Sequence, residues 1–247
     1  YEIGLGIPAE PLFRSGGVSS ADSDFLEVET VSQTFPYTGQ TLTIDAWTAD
    51  LIITSGKGNE VQVDSQATGS ANSKNPEVTE SLGGDTLNLA VTCDGLALGC
   101  KGRFTVTVPE GVAVIAQNKN QQITVSDFAA DLTVSAVNGT ANLSQISSPT
   151  LILDEKEMEV TGTDLSVKTV LADTRNGSVD LTFSDAPDQV TVDSNDGNVR
   201  LVPPDTDYLV ETAAKKEKIN VTVAESDSSS RVISVTVRNA DIAVVTE

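Results

Sequence analysis

The stretch NGSVDLTFSDAPDQVTVDSNDGNVRLVPP, residues 176–204, contains the same turn and strand twice. Asn176-Gly177 is followed by Ser-Val-Asp-Leu, and twenty residues later Asp196-Gly197 is followed by Asn-Val-Arg-Leu. Self-similarity at a fixed interval is the sequence signature of stacked repeat architectures. The stretch therefore predicts that one turn-and-strand unit recurs along the chain.

The recurring unit is a frame of apolar residues around a reference position. In the frame of Gly177, apolar residues lie seven and five positions before the glycine and two and four positions after it. Four clear copies have reference positions 19, 19 and 20 residues apart, and the frame persists at Met158 without a glycine. Eight copies can be aligned in all, with reference positions Ala49, Gln121, Gly139, Met158, Gly177, Gly197, Glu217 and Ala240.

Each copy consists of two short alternating segments joined by a turn. Alternation places the apolar residues on one face of a strand, and Asn-Gly or Asp-Gly supplies the positive φ that a tight corner needs. One copy cannot bury its apolar face alone, whereas copies stacked about 4.8 Å apart form a continuous core. The pattern predicts an all-β protein, a β-solenoid of rungs of about 20 residues. The alternative is an antiparallel meander or sandwich, which the constant interval disfavours.

The frame also predicts how the chain is divided. Residues 1–24 read as an N-terminal arm or linker, and residues 25–59 supply the first strands and the first rung. Residues 60–111 break the period and read as an antiparallel insertion that contains the Cys93–Cys100 loop, and residues 112–247 form the β-repeat domain. The last strand, within residues 231–245, is expected to form an open end of the solenoid.

The net charge restricts the class of binding partner, and the two cysteines indicate the cellular compartment. With 15 basic against 36 acidic residues the formal charge is −21, so a nucleic-acid partner is excluded because phosphate contacts need clustered Lys and Arg. Cys93 and Cys100 are predicted to form a disulfide in an oxidising compartment. No apolar run of 18 residues exists in the chain. Because residue 1 is Tyr, a cleaved leader or a membrane anchor upstream is expected.

The residue types disfavour catalysis. The sequence contains no histidine, which removes the commonest general base and the commonest metal ligand, so no metal site and no cofactor are predicted. Abundant carboxylates keep a polysaccharide-active enzyme as the least favoured alternative. Four Asn-x-Ser/Thr sequons are candidate glycosylation sites: Asn138, Asn142, Asn176 and Asn220. The Asn-Gly corner turns alone explain Asn138 and Asn176.

The repeated pattern V-x-V-x-x-x-x-G-x-V-x-L, with FTVTVPEGVAV leading into it, resembles the bacterial putative-adhesin family of β-strand repeat surface proteins and related autotransporter-like adhesin head domains. The resemblance spans residues 40–247 and implies a solenoid-like extracytoplasmic domain without catalytic residues. The chain departs from it in the Cys93/Cys100 loop and in rungs without glycine. The residues that carry the resemblance are Phe104–Val114, Leu132–Leu143, Val170–Leu181 and Val190–Pro204.

These observations predict a non-enzymatic extracellular or cell-surface protein that acts in adhesion or envelope structure by binding a protein or another surface ligand. An alternative is a structural subunit of an extracellular filament. In that alternative, residues 1–24 and the open solenoid ends pair with neighbouring subunits.

Overall fold

The computed structural model describes residues 28–47, 49–68, 76–93, 101–215 and 218–246. These residues form strands and connecting turns and contain no helix. The 19 strands belong to one open hydrogen-bonded sheet that winds into a β-solenoid. The strands are β1 (Val28–Pro36), β2 (Thr41–Ala46), β3 (Ala49–Gly56), β4 (Glu60–Thr68), β5 (Pro76–Gly83), β6 (Thr86–Cys93), β7 (Lys101–Pro109), β8 (Ala113–Asn118), β9 (Gln122–Phe128), β10 (Leu132–Ile146), β11 (Thr150–Leu165), β12 (Thr169–Thr174), β13 (Val179–Phe183), β14 (Gln189–Ser194), β15 (Val199–Val202), β16 (Leu209–Ala214), β17 (Ile219–Val221), β18 (Val232–Val237) and β19 (Ile242–Val244).

Each rung has a first strand, a corner and a second strand. In most rungs these are separate strands, such as β8 and β9, whereas β10 and β11 each run through the corner without a break. Equivalent strands of neighbouring rungs pair in parallel, for example β10 with β11 and β12 with β14. All pairs among the described strands from β8 onward are parallel, so the predicted solenoid is confirmed and the antiparallel meander is excluded.

The pairing register confirms the frame found in the sequence. Gly139 is the partner of Met158, and Leu51 is the partner of Ile123, which places reference position 49 beside 121. The pairs Val160↔Val179 and Val179↔Val199 continue the same alignment through the next two rungs. Seven of the eight predicted reference positions therefore form one column at the corner. Position 217 lies outside the described residues, and the pairing of β17 with β19 aligns its rung with that of Ala240.

The order of the rungs in space differs from their order in the sequence at both ends. The first rung, residues 41–56, lies between residues 86–109 and 113–128, because β2 pairs with both β6 and β8. The last rung, residues 232–244, is inserted between residues 189–202 and residues 209–221, because β18 pairs with both β14 and β16.

This insertion corrects the prediction that the last strand forms an open end. β18 and β19 have partners on both sides, and the rung at that end of the stack is formed by β16 and β17. The sequence order was a poor guide because backbone pairing in a solenoid depends on register and not on chain order.

Residues 60–111 stack against the first rung. β6 and β7 pair in parallel with β2 and β3. Antiparallel pairs lie outside them, β4 with β1 and β7, and β5 with β6. The arm at residues 1–24 lies outside the described residues, and the domain boundaries remain a prediction.

The first strands of successive rungs form one wall of the solenoid, here called the first-strand sheet, and the second strands form the opposite wall, the second-strand sheet. The core lies between these two walls. Their inward positions carry Val, Leu, Ile and Ala, and side chains such as Leu42, Leu51 and Leu153 are fully buried. Each such side chain contributes about 1.5–3 kcal/mol by burial. Filling the interior with aliphatic side chains leaves the outward positions and the corners as the surfaces available for function. Among the described residues, no helix of bilayer-spanning length and apolarity occurs.

Candidate functional site

The corner between the two strands of each rung is closely packed along the stacking axis. A Cβ added to Gly177 would lie 1.6 Å from the carbonyl oxygen of Met158, and one added to Gly197 would lie 1.8 Å from that of Gly177. Gly139 has a φ of +126°, and a Cβ added to it would lie 2.2 Å from the carbonyl oxygen of Gln121. Glycine is therefore required at these corners by the approach of the neighbouring rung, and at Gly139 also by its φ.

One residue before six of the reference positions, exposed or half-buried polar side chains form an amide ladder. Amides and carboxylates alternate in its central part, which satisfies both. With its amide oriented toward the carboxylate, Asn138 donates to Glu157 at 2.9 Å, and Asn176 likewise donates to Asp196 at 3.1 Å. Asn239 donates to the same Asp196 at 2.7 Å. The amide ladder consists of Asn120, Asn138, Glu157, Asn176, Asp196 and Asn239.

Two residues before each reference position, the side chains form a second row, here called the basic column. Five of its eight members are Lys or Arg, all exposed, although the chain has more than twice as many acidic as basic residues. Within the described residues, none of these five has a carboxylate oxygen within 4.0 Å. In spatial order the basic column consists of Trp47, Lys119, Val137, Lys156, Arg175, Asn195, Arg238 and Lys215.

A cleft of about 360 Å³ lies at the Trp47 end of the basic column. Trp47, the only tryptophan of the chain, is 54% exposed, and the Nζ atom of Lys119 lies 4.9 Å from the centre of its ring. Lys156 and the carboxylates Asp45 and Asp154 also line this cleft. It therefore combines an aromatic face with cations and hydrogen-bond acceptors.

Three residues before each reference position, the side chains point into the core. Thr174 donates to the carbonyl of Gly177 at 3.2 Å, and Ser194 donates to that of Gly197 at 3.0 Å. Asn118 donates to the carbonyl of Ala49 at 2.8 Å. These buried polar groups satisfy backbone atoms at the corner, so they support the fold and are not available to a ligand.

The same inward position is occupied by Glu155 in the rung whose reference residue is Met158. Glu155 is 3% exposed, and neither of its carboxylate oxygens has a hydrogen-bond partner among the described residues. Burial, and to a smaller extent the negative charge of Asp154, raises the pKa of Glu155 to about 8. The carboxyl group is therefore protonated when folded at neutral pH.

A row of exposed carboxylates runs along the outer side of the first-strand sheet, four residues before the reference positions. Asp154, Asp173 and Asp193 occupy it in three successive rungs. Among the described residues no group of three or more acidic or cysteine side chains is placed to hold a metal ion. The row is thus a negatively charged strip beside the basic column.

A larger cavity of about 860 Å³ lies where the second strands end. Its walls include Phe183, Val202 and Pro203, which are buried core residues, and the acidic side chains of Asp164 and Asp205. Within the described part of the chain, neither cations nor exposed aromatic rings line it. The cleft beside Trp47 is therefore the better candidate for a ligand.

The structure places the predicted site residues in different regions. Cys93 ends β6, and Cys100 lies outside the described residues, so the disulfide remains a prediction. Asn138 and Asn176 belong to the amide ladder on either side of Glu157. Asn142 lies in the second half of β10, and Asn220 is exposed in β17. Glycosylation of these residues also remains a prediction.

Sequence reasoning missed the basic column. Successive cations in chain order, from Lys119 to Arg238, are 19 to 40 residues apart, so they form no cluster in the sequence. Reading position by position within the aligned copies would have found them, because all five stand two residues before a reference position. The apolar frame concerns the inward residues only, so it gives no information about the outward positions.

Comparisons with solved structures find putative adhesion proteins of low sequence identity. A putative adhesin from Bacteroides fragilis NCTC 9343 is 12% identical, covers 88% of this chain and 97% of its own, and has a TM-score of 0.48. A putative adhesin from Parabacteroides merdae ATCC 43184 is 12% identical, covers 87% and 96%, and has a TM-score of 0.43. A putative cell adhesion protein from Clostridium sporogenes ATCC 15579 is 13% identical, covers 90% and 100%, and has a TM-score of 0.37. No curated protein matches the chain.

A family model gives the firmer assignment. The model described as Toastrack DUF4097 matches residues 40–206. This span begins at the first rung and ends after β15, and it includes the cleft and most of the basic column. The chain belongs to the Toastrack DUF4097 family.

Proposed function

We propose that this protein is a non-enzymatic extracytoplasmic surface protein that binds a partner through the outer side of its solenoid, in adhesion or in envelope structure. The observation that carries the proposal is the arrangement of outward side chains in straight rows at rung spacing. The basic column and the amide ladder each extend over six or more rungs. A rigid stack of this kind presents an extended binding surface without moving parts.

A carbohydrate-cleaving role has weaker support. Glycoside hydrolysis uses two carboxyl groups about 5–10 Å apart. Asp45 and Asp154 both line the cleft beside Trp47. They belong to rungs three steps apart, which separates their backbones by about 14 Å at the usual strand spacing. Catalysis by this pair is not favoured.

A binding assay with envelope material tests the proposed function. The purified domain, immobilised on beads, is expected to retain cell-envelope fractions of its source organism saturably, and the soluble domain is expected to compete. Beads that carry an unrelated protein of equal negative charge provide the control, because a formal charge of −21 alone attracts cationic material. Equal retention by both kinds of bead contradicts the proposal.

A filament subunit is a second candidate, and the edges of the stack favour it. Among the described strands, β16 and β17 each have a partner on one side only, and so do β1 and β5 at the other end. Such edges expose backbone groups that can pair with another copy. Light scattering over a concentration series, with and without residues 1–24, tests it. A monomer in both cases rejects the filament.

A further inference from the structure

We propose that the corner of the solenoid binds a linear acidic polysaccharide that runs parallel to the stacking axis. In this arrangement Trp47 packs against a sugar ring, and the cations of the basic column face the charged groups of the polymer. The inference rests on the proposed binding role and names its ligand class.

The first argument is the charge of the basic column. Of its eight positions five are cationic and none is acidic, while acidic residues outnumber basic ones 36 to 15 in the whole chain. One third of all Lys and Arg residues therefore lie in a single row. The fold does not require cations there, because Val137 and Asn195 occupy the same position in other rungs. A row of unpaired cations attracts an extended anion.

The second argument concerns the carboxylates beside the basic column. Asp154, Asp173 and Asp193 precede Lys156, Arg175 and Asn195 by two residues, which is about 6.6 Å along a strand. A polymer with one phosphate per unit and few donors would be repelled by this strip. A sugar polymer carries hydroxyl groups that donate hydrogen bonds to carboxylates. The two adjacent rows therefore favour an acidic polysaccharide over a nucleic acid.

The amide ladder on the other side of the basic column supports the same ligand class. Glu157 and Asp196 are carboxylates there, but both accept hydrogen bonds from neighbouring Asn side chains. Amide side chains both donate and accept, as sugar hydroxyls do. The basic column thus lies between two rows that can hydrogen-bond hydroxyl groups.

The third argument is Trp47 and the shape of the cleft. A large aromatic side chain that is 54% exposed forgoes the stabilisation that burial would give it. The C–H face of a sugar ring packs against such a ring. Asp45 stands in the same cleft, and its carboxylate can accept a hydrogen bond from a ligand hydroxyl.

The geometry also predicts the length of the ligand. Eight rungs contribute to the basic column, and seven intervals of about 4.8 Å give roughly 34 Å from Trp47 to Lys215. Affinity should therefore rise with the length of the oligosaccharide until it spans this distance, and it should then level off.

Calorimetric titration of the whole chain tests the inference. The probes are polygalacturonate, dextran sulfate and neutral dextran, with oligogalacturonates of increasing length. The charge-reversed variant Lys156→Glu/Arg175→Glu is compared with Arg103→Glu/Arg200→Glu. This control changes the net charge equally on exposed cations that lie outside the basic column and face Asp50 and Asp180. Circular dichroism and melting curves confirm that every variant is folded.

We expect at least one of the two acidic polymers to bind and dextran not to bind. Lys156→Glu/Arg175→Glu should weaken binding about tenfold or more relative to the matched control, and less so at high salt. Trp47→Ala should weaken it about thirtyfold, as the loss of an aromatic hot-spot contact does. Equal affinities for the two charge-reversed variants, equal binding of dextran, or an unchanged Trp47→Ala variant would each overturn the inference.

The envelope-binding assay separates this inference from the proposed function. If neither acidic polymer binds while the domain still retains envelope material, the ligand class is wrong and the binding role stands. If both assays are negative, the binding role itself is wrong.

Discussion

The buried carboxyl group of Glu155 should make the stability of the solenoid depend on pH, and Glu155→Gln should remove that dependence. Glu155 is 3% exposed and has no hydrogen-bond partner among the described residues. Its pKa is raised from the ordinary value of 4.5 to about 8. Between these two values the folded protein holds a proton that the unfolded chain has released.

The sign and the size follow from proton linkage. Because the pKa is raised on folding, stability is greatest below about pH 4.5 and falls as the pH rises through about 8. At 1.36 kcal/mol per pKa unit, the difference between the two pKa values corresponds to a loss of about 5 kcal/mol in the free energy of unfolding. The side chain can move toward the exposed corner when it ionises, so we expect a measured loss of about 2–5 kcal/mol.

Urea unfolding followed by circular dichroism at pH 5, 7 and 9 measures this loss. Wild type and Glu155→Gln should agree within about 1 kcal/mol at pH 5, because both side chains are then neutral and lack partners. At pH 9 the variant should be more stable by about 2–5 kcal/mol. Glu159→Gln on the same strand removes an exposed carboxylate and is the control for net charge. Parallel pH curves for wild type and Glu155→Gln, or an equal gain in Glu159→Gln, would refute the reasoning.

Three further predictions concern the corner, the rung order and one tyrosine. Gly177→Ala should lower the free energy of unfolding by about 2–4 kcal/mol, because its Cβ would lie 1.6 Å from a carbonyl oxygen. Gly83→Ala, in open space, should change it by less than about 0.5 kcal/mol, and equal effects would contradict the stacking. In hydrogen exchange, amides of residues 232–244 should be more protected than those of residues 209–221, because the former rung is paired on both sides. The reverse order would disprove the insertion. In an ultraviolet titration Tyr37 should ionise near pH 12, since burial and its hydrogen bond to Asp85 raise its pKa. The transition should be absent from Tyr37→Phe, and its persistence would exclude the assignment.

Much of the fold follows from the sequence because two constraints act together. Inward positions must be apolar, and equivalent positions must coincide between rungs, so the frame reappears at a nearly fixed interval. The alignment of Gln121, Gly139, Met158 and Gly177 was readable for this reason, even though two of these residues are not glycine. A rung without glycine remains in register because the pairing of its strands determines the register.

The ends of the stack were not predictable in the same way. Residues 86–109 form a rung whose two strands are separated by a longer connection, which hides the interval. The order of rungs is equally hidden, since a parallel partner can come from any part of the chain that has the right register. Val199 illustrates this, because it pairs with Ile242, more than forty residues away, and not with the next rung along the chain.

The candidate site was less predictable than the fold because it depends on outward positions. Each inward residue can be identified without reference to the other rungs, because an apolar residue in the frame is explained by burial in the core. An isolated lysine such as Lys156 has many explanations, and only its alignment with Lys119 and Arg175 makes it informative. Trp47 was visible as the only tryptophan, but its exposure became known only with the structure.

The structure of the corner explains why a binding surface can lie there. At Gly177 and Gly197 the neighbouring backbone excludes a side chain, and three residues earlier Thr174 and Ser194 satisfy the corner carbonyls. These two positions are therefore restricted by the fold. At the position two residues before the reference point the side chain is outward, can be as different as Trp, Val, Asn or Lys, and makes no hydrogen bond to the corner among the described residues. A preference for cations at a position that the fold leaves free, in a chain with a formal charge of −21, needs a cause outside the fold. A negatively charged ligand supplies that cause.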